Sequence, residues 1–376
     1  MDINGYTAPG FERVAEEFER NFTERGDLGA SFAVAFGDEP LVDLWGGIAN
    51  RASGRSWAED TLQIIFSGTK GLTATCILLL IQRGQLALDA PVAQYWPEFA
   101  AAGKHDVLVR HLVTHTVGLP GLEEPVTWQE ATDARRMAAL LAQQPRSNDP
   151  RATRTYHAVT FGWLCGELVR RVDGRTIGRF FAEEIAKPLG LDLWIGLPPE
   201  LEPRVSSVEL AASWTMVTDE TLADDPLRRA VENPLRYRPG SFPWNEPSWH
   251  AAEVPSSNGI GTARSIARFY ANLDEVLSPT ALQLGSTVLS NRHDPLMNRA
   301  TAFGVGFQLQ TDMLTLGPTP DAFGHGGAGG SVHGRWPRQR LGFSYTMNLL
   351  RDDPDDERAA SLLTALYTCV EKKVAA

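Results

Sequence analysis

The sequence is poor in cysteine and contains no long apolar run. Its three cysteines, Cys76, Cys165 and Cys369, are too few and too odd in number for a disulfide framework. No stretch approaches the ~20 apolar residues that a membrane-spanning helix needs. The first residues also lack the basic and apolar segments of a secretory signal. These absences predict a reduced, soluble, cytoplasmic protein.

Positive charge is scarce as well. Lys and Arg together number 35 against 46 Asp and Glu, which gives a net charge of −11, and no basic run occurs. A nucleic acid or an anionic membrane surface attracts a basic face, so neither is expected as a partner. With 376 residues, 43% of them hydrophobic, the chain can bury a large core. The composition predicts an enzyme for a small molecule and leaves the oligomeric state open.

Hydrophobic periodicity predicts strands near both ends of the chain and helices between them. An N-terminal helix is followed by a β-hairpin with strands at 30–36 and 41–48. Further helices are expected at 67–82, 105–115, 132–143, 160–172, 177–185 and 262–273. Strands at 304–311, 331–336 and 341–349 then precede a last helix at 359–370. Residues 197–255 are rich in proline and tryptophan and are predicted to form long loops.

This order of elements predicts an α/β (α+β) fold, because neighbouring hairpins favour antiparallel pairing. Residues 1–66 and 255–376 would form one antiparallel sheet flanked by the terminal helices. Residues 67–254 would form an inserted, mainly helical domain, with the active site in the cleft between the two.

A serine and a lysine three residues apart, Ser67 and Lys70, form an SxxK motif. Positions i and i+3 share a helix face, so the amine can reach the hydroxyl within one turn. The amine can accept the serine proton only if it is neutral, which burial and the start of a helix both favour. With 19 serines and 5 lysines, chance alone gives about a quarter of one match. The spacing alone therefore does not distinguish a catalytic pair from a solvated helix start capped by Ser67.

Two later segments could complete such a site. Tyr156 precedes a predicted helix and could exchange a proton with Lys70 and the leaving group, although a lone tyrosine more often packs against its helix. The run from His325 to Ser331 contains four glycines before a predicted strand. Glycines let backbone N–H groups approach a ligand, as in an oxyanion hole, but they also form ordinary turns.

The order of these three motifs resembles the serine β-lactamase and penicillin-binding-protein superfamily, for which SxxK is characteristic. Residues 112–120 are similar to its LLTHTSGLP signature, with Val117 in place of serine. Residues 255–270 and 324–331 resemble the class-C-like carboxylesterases of family VIII. The resemblance covers nearly the whole chain. It implies a β-lactamase-like fold, with an antiparallel sheet domain, an all-helical domain and a site between them.

The resemblance also implies roles for individual residues. Ser67 would be the nucleophile, Lys70 its base and Tyr156 a second acid and base. The N–H groups of Ser67 and Ala328 would bind the oxyanion. The third motif would contribute to substrate binding through three residues: His325, Gly326 and Gly327. No cofactor and no metal ion are implied.

Two departures from the superfamily pattern bear on the substrate. In class C β-lactamases the third motif is typically Lys-Thr-Gly, whose first two side chains help to hold the β-lactam carboxylate. Here His325 and Gly326 stand in their place, and Ala158 replaces the usual asparagine of the second motif. Both changes favour a carboxylesterase for short acyl esters. A β-lactamase, a D-amino-acid peptidase or amidase, an acyltransferase and an inactive binding protein remain alternatives.

Other histidines and tryptophans have less specific interpretations. His111 and His115 have i, i+4 spacing but lack the glutamate of HExxH, so core or capping roles are favoured over a metal site. His157 is expected to be a polar surface residue. Three tryptophans could line an acyl or alcohol pocket or pack loops on the core: Trp214, Trp244 and Trp249. The GxSxG motif is absent, which disfavours an α/β-hydrolase.

Overall fold

The computed structural model describes residues 2–214, 226–238 and 240–375. The strands are β1 Ile3–Thr7, β2 Gly29–Phe36, β3 Glu39–Asn50, β4 Arg55–Ser56, β5 Gln63–Ile64, β6 Leu193–Trp194, β7 Glu209–Leu210, β8 Ile260–Gly261, β9 Ser290–Asp294, β10 Arg299–Phe303, β11 Gln308–Leu309, β12 Phe323–Gly326, β13 Val332–Trp336, β14 Leu341–Met347 and β15 Leu349–Leu350. The helices are α1 Glu12–Thr23, α2 Thr69–Gln82, α3 Val109–Val113, α4 Ala134–Gln143, α5 Thr160–Asp173, α6 Ile177–Phe181, α7 Pro226–Glu232, α8 Pro247–Ala251, α9 Ala263–Ala271, α10 Leu273–Val276, α11 Pro279–Ser286 and α12 Arg358–Ala375.

The main sheet has the order β1-β3-β2-β14-β13-β12-β11-β10-β9, with β4 beside β3. The pairings along this path are antiparallel. Strands from the two ends of the chain meet where β2 pairs with β14. The predicted mixed α/β fold with an antiparallel sheet is therefore confirmed.

The two faces of the sheet differ in the size of their side chains. On one face Phe343 and Tyr345 lie opposite large apolar residues of β2, and this face is part of the main core. On the other face Ala33 and Ala35 pack against the alanines of α9. A Cβ on Gly342 would lie 2.1 Å from a carbonyl oxygen of α9, so α9 approaches the strand very closely. Because side chains alternate along a strand, small residues on one face give the helix room.

Helix α2 is buried on every side, from Thr69 to Leu80. Its sequence is apolar nearly all round, which predicts burial of this kind. The helix begins at Thr69, so Ser67 lies in the turn that precedes it. The predicted cap of α9 is also confirmed, since the Oγ1 of Thr262 accepts the N–H of Ser265 at 3.1 Å.

Several predicted elements differ in extent from the observed ones. The helix expected at 105–115 is only α3. The strand expected at 304–311 is only the short strand β11, which follows a turn after β10. The strands β1 and β9 were not predicted, because edge strands with many exposed side chains lack apolar alternation. Residues 197–255 contain loops with short helices. The part of that loop prediction at 215–225 and 239 lies outside the described residues.

We propose that the chain divides into the two units expected from the sequence. Residues 67–254 contain α2 to α8, whereas the main sheet is built from strands before and after this stretch. The strand β6 pairs with β8 across the proposed boundary. Among the described residues, no helix combines the length and the apolar composition that crossing a membrane requires.

Candidate active site

Ser67 lies in a tight turn that the neighbouring backbone holds in place. Phe66, the residue before it, has a φ of 48°, in the left-handed region that non-glycine residues rarely adopt. The Oγ1 of Thr69 donates to the carbonyl of Phe66 at 2.6 Å and accepts the N–H of Gly259 at 2.7 Å. The Ile65 N–H donates to the carbonyl of Gly259 at 2.9 Å. Bonds from the start of α2 and from the distant residue Gly259 thus fix the turn, and Ser67 stays only partly buried.

The side chain of Lys70 is completely buried and contacts Ser67. Its Nζ lies 2.8 Å from the carbonyl oxygen of Ala158, 2.9 Å from that of Ser256 and 3.2 Å from the Oγ of Ser67. No carboxylate among the described residues forms an ion pair with it. Burial, assisted by the positive charge of Arg236, lowers the pKa of Lys70 well below its usual value. A neutral amine fits these contacts, with two N–H groups on the carbonyls and a lone pair facing Ser67.

Tyr156 lies on the other side of the lysine. Nζ of Lys70 is 4.7 Å from the centroid of the Tyr156 ring. Burial raises the pKa of the Tyr156 phenol, and its hydrogen bond with Ser67 opposes that rise. The phenol is therefore protonated at neutral pH and can donate a hydrogen bond. The structure thus brings Ser67, Lys70 and Tyr156 together, as the sequence motifs predict.

The third motif packs directly against the turn that carries Ser67. A Cβ on Gly327 would lie 2.6 Å from the carbonyl oxygen of Ile65, so only glycine allows this approach. The Gly327 N–H donates to the carbonyl of Ser331 at 2.8 Å and closes the turn that contains Ala328. Within the described parts of the chain, the N–H groups of Ser67 and Ala328 have no hydrogen-bond acceptor. Backbone N–H groups without an acceptor have the chemistry that an oxyanion hole requires.

His325 brings a neutral ring to the site. Its Nδ1 donates to the carbonyl of Gly326 at 2.6 Å, which leaves Nε2 without a proton, facing the hydroxyl of Tyr156 at 3.5 Å. Burial is the main cause that lowers the pKa of His325 to about 3. The adjacent Gly326 N–H is bound by Gln308 at 3.2 Å. The third motif therefore supplies no fixed positive charge.

Comparison with known proteins agrees with this geometry. Residues 18–367 match the sequence model of the beta-lactamase family. The chain is 34% identical over 363 residues to Esterase/beta-lactamase LipL of Mycobacterium tuberculosis, which spans 93% of this chain and 83% of that protein. The chain belongs to the β-lactamase family.

Two crystal structures from the same family resemble this member along its whole length. A family VIII carboxylesterase is 36% identical with a TM-score of 0.89, covering 98% of this chain and 100% of the other. A penicillin-binding protein homologue from Caulobacter crescentus is 35% identical with a TM-score of 0.87 and the same coverage. At these identities the shared fold extends over nearly the whole chain.

One histidine of this β-lactamase family member does not lie where the sequence predicts. His157 is completely buried and not on the surface. Its Nδ1 donates to the carbonyl of Thr155 at 2.8 Å, and its Nε2 accepts the N–H of Leu119 at 3.1 Å. The prediction was wrong because the loop of residues 114–120 covers this segment, so neighbours of Tyr156 are enclosed on both sides. Burial lowers the pKa of His157 to about 3.

His111 and His115 have structural roles, as the sequence predicts. The Nδ1 of His111 accepts the N–H of Leu108 at 3.1 Å and caps α3. His115 is buried, and its Nδ1 accepts the N–H of His157 at 3.1 Å. No cluster of metal-ligating side chains occurs among the residues that the structure describes.

The structure supports the packing interpretation for two of the three tryptophans. Trp244 and Trp249 are buried and pack against each other at 5.7 Å, which supports the packing role. Trp244 also contacts Phe66, the residue before Ser67, at 4.8 Å between ring centroids. Trp214 is only half-buried and stacks on Tyr237 at 5.2 Å.

Sequence reasoning missed the backbone and carboxylate groups that hold the site. The carbonyl of Ser256 binds Lys70 across 186 residues of chain, and the carboxylate of Asp294 binds the N–H of Tyr156 across 138 residues. The segment around Ser256 stood out only through the family resemblance. Nothing in the sequence distinguishes Asp294 from an exposed aspartate, because Tyr156, the residue that it binds, is distant in the chain.

Proposed function

We propose that this chain is a serine carboxylesterase that hydrolyses short-chain acyl esters through an acyl-enzyme on Ser67. The observation that carries the proposal is the contact of Ser67 with a fully buried lysine whose pKa is lowered well below its usual value. Such an amine is a general base at neutral pH, which a solvated lysine is not. The names of the M. tuberculosis relative and of the family VIII neighbour support esters as substrates.

The contacts suggest the following sequence of proton transfers. Lys70 takes the proton of Ser67 while the Oγ of Ser67 forms a bond to the ester carbonyl carbon. The N–H groups of Ser67 and Ala328 bind the resulting oxyanion. As the carbon–oxygen bond to the alcohol breaks, Lys70 returns the proton to the leaving oxygen through the phenol of Tyr156. Water then attacks the acyl-enzyme by the same route and releases the acid.

The third motif favours esters over β-lactams. A β-lactam antibiotic carries a carboxylate, and burial keeps the ring of His325 neutral at neutral pH by lowering its pKa to about 3. Gly326 adds no hydroxyl, and Ala158 contributes only its carbonyl, which binds Lys70 at 2.8 Å. None of these losses affects the bond that forms at Ser67. Acyl transfer is retained while recognition of an anionic substrate is weakened.

Slow β-lactam hydrolysis at the same site is the second candidate function. The observation that favours it is the double name of the M. tuberculosis relative, esterase and β-lactamase, at 34% identity. Amide hydrolysis and acyl transfer to an alcohol would use the same nucleophile. These reactions differ in the substrate that occupies the cleft.

The deciding experiment compares wild type with Ser67→Ala on one substrate panel. p-Nitrophenyl acetate and butyrate, nitrocefin and a D-alanyl amide are assayed together, with and without an acceptor alcohol. Ester turnover should dominate in wild type and disappear in Ser67→Ala, whereas Ser53→Ala, at an exposed turn, should match wild type. A fluorophosphonate probe should label Ser67 in intact protein. Ester turnover that survives Ser67→Ala would contradict the proposal.

The remaining expectations for this protein are also proposals. A small ester is proposed as its partner, with no role for nucleic acid or membrane. A cytoplasmic location is supported by Cys76, Cys165 and Cys369, which are all buried free thiols. Burial raises the pKa of all three thiols, so none is an activated nucleophile.

A further inference from the structure

The carboxylate of Asp294 is a buried group that the proposed mechanism does not use. It lies at the end of β9 and is 1% exposed. Its Oδ2 accepts the N–H of Tyr156 at 2.6 Å, while its Oδ1 accepts the N–H groups of Leu296 and Met297 at 2.9 and 3.0 Å. Both oxygens are therefore occupied by backbone donors. One of these donors belongs to the tyrosine of the site.

The strand β9 makes further contacts with the same region through alternate residues. Arg292 donates to the carbonyls of Thr114 and His115 at 3.1 and 3.0 Å. The Oγ of Ser290 donates to the carbonyl of Thr114 at 3.3 Å. Alternate side chains of a strand lie on one face. One face of β9 therefore binds two loops, the one that contains Thr114 and His115 and the one that contains Tyr156.

These two loops meet at Tyr156. The ring of His115 packs on the ring of Tyr156 with centroids 4.8 Å apart, and Phe303 of β10 contacts both rings. The phenol is thus fixed laterally by ring packing. The backbone of Tyr156 is fixed by the hydrogen bond from its N–H to Asp294.

We propose that Asp294 is a positioning residue for Tyr156, which it holds so that the phenol stays at Ser67. This inference rests on the proposed function, in which Tyr156 transfers a proton. Tyr156 precedes α5 in a loop, so its N–H has no partner in a helix or strand. A carboxylate is the side chain that accepts from donors on both of its oxygens at once.

The substitution Asp294→Asn tests the geometry at nearly constant volume. An amide has one acceptor oxygen, so if it keeps Leu296 and Met297, its NH₂ group faces the N–H of Tyr156. Two donors then oppose each other and the loop shifts. We expect kcat for p-nitrophenyl butyrate to fall about 10- to 100-fold, with KM nearly unchanged. Asp312→Asn, at an exposed aspartate, is the matched control and should leave kcat unchanged.

A double-mutant cycle with Tyr156→Phe separates positioning from general stabilisation. If Asp294 acts through the phenol, Asp294→Asn should have almost no further effect on kcat in the Tyr156→Phe background. Equal losses in both backgrounds would overturn the proposal. If Asp294→Asn does not fold, as judged by near-ultraviolet circular dichroism, Asp294→Glu replaces it in the same cycle with the same criterion. Wild-type ester turnover is measured first, so failure of the proposed function is recognised independently of the cycle.

Discussion

Lys70 and Arg358 are both cationic side chains with no exposed surface, yet their surroundings are opposite. Lys70 contacts two carbonyls and a hydroxyl. Arg358, the first residue of α12, binds the carboxylates of Asp27 and Asp356 at 2.8 and 2.7 Å. Burial and Arg236 lower the pKa of Lys70, whereas burial of Arg358 is outweighed by Tyr345 and the two carboxylates, so its pKa rises.

The difference shows that burial alone does not decide the charge of a group; the partners do. Without an ion-paired carboxylate among the described residues, the neutral form of Lys70 is favoured, as the proposed role of general base requires. With two carboxylates, Arg358 keeps its charge and joins distant segments. Its guanidinium also donates to the carbonyl of Gly329 at 2.9 Å, next to Ala328 in the third motif. Of these two buried basic side chains, Lys70 has the surroundings that the proposed chemistry needs, and Arg358 holds the framework around it.

The largest expected effect comes from making Lys70 permanently charged. In Lys70→Arg the guanidinium cannot lose its proton at any ordinary pH, so it cannot act as a base. We expect kcat/KM for p-nitrophenyl butyrate to fall by about 10²- to 10⁴-fold. Lys187→Arg, at an exposed position, is the control and should retain full activity. Activity within a factor of ten of wild type would show that a neutral lysine is not required.

The second effect concerns stability and Arg358. Arg358→Met leaves Asp27 and Asp356 buried without their partner, which should lower the free energy of unfolding by about 3–5 kcal/mol. In Arg179→Ala, the control, an exposed ion pair with Glu183 is lost and the change should stay within ~0.5 kcal/mol. Urea unfolding followed by fluorescence measures both. Similar values for the two variants would contradict the framework role of Arg358.

The smallest effect is the pH dependence that Lys70 gives to stability. A lysine in the unfolded chain is protonated up to its ordinary pKa of 10.5, whereas folded Lys70 loses its proton at a much lower pH. Between these two pKa values the unfolded state binds the extra proton, so stability rises with pH in this window. The unfolding free energy of wild type minus that of Lys70→Met should therefore increase from neutral pH towards pH 10. A constant or decreasing difference would mean that Lys70 is charged in the folded protein.

Local features of the fold were predictable because their causes lie close together in the chain. The burial of α2 follows from its apolar surface, and the cap at Thr262 follows from its side chain. The first β-hairpin follows from two strand patterns around one short turn. The edge strand β9 was missed because its side chains show no apolar alternation, although its end residue Asp294 binds Tyr156.

The sequence by itself determined the order of the motifs, the helix after Ser67 and the loss of a charged third motif at His325. Only the tertiary structure decided that Lys70 has carbonyl partners and no carboxylate partner among the described residues, that His157 is buried, and that Asp294 binds Tyr156. The physical reason is the distance along the chain over which each effect acts. Periodicity and capping depend on residues within a few positions, whereas the charge of a buried group depends on atoms that folding brings from more than a hundred residues away.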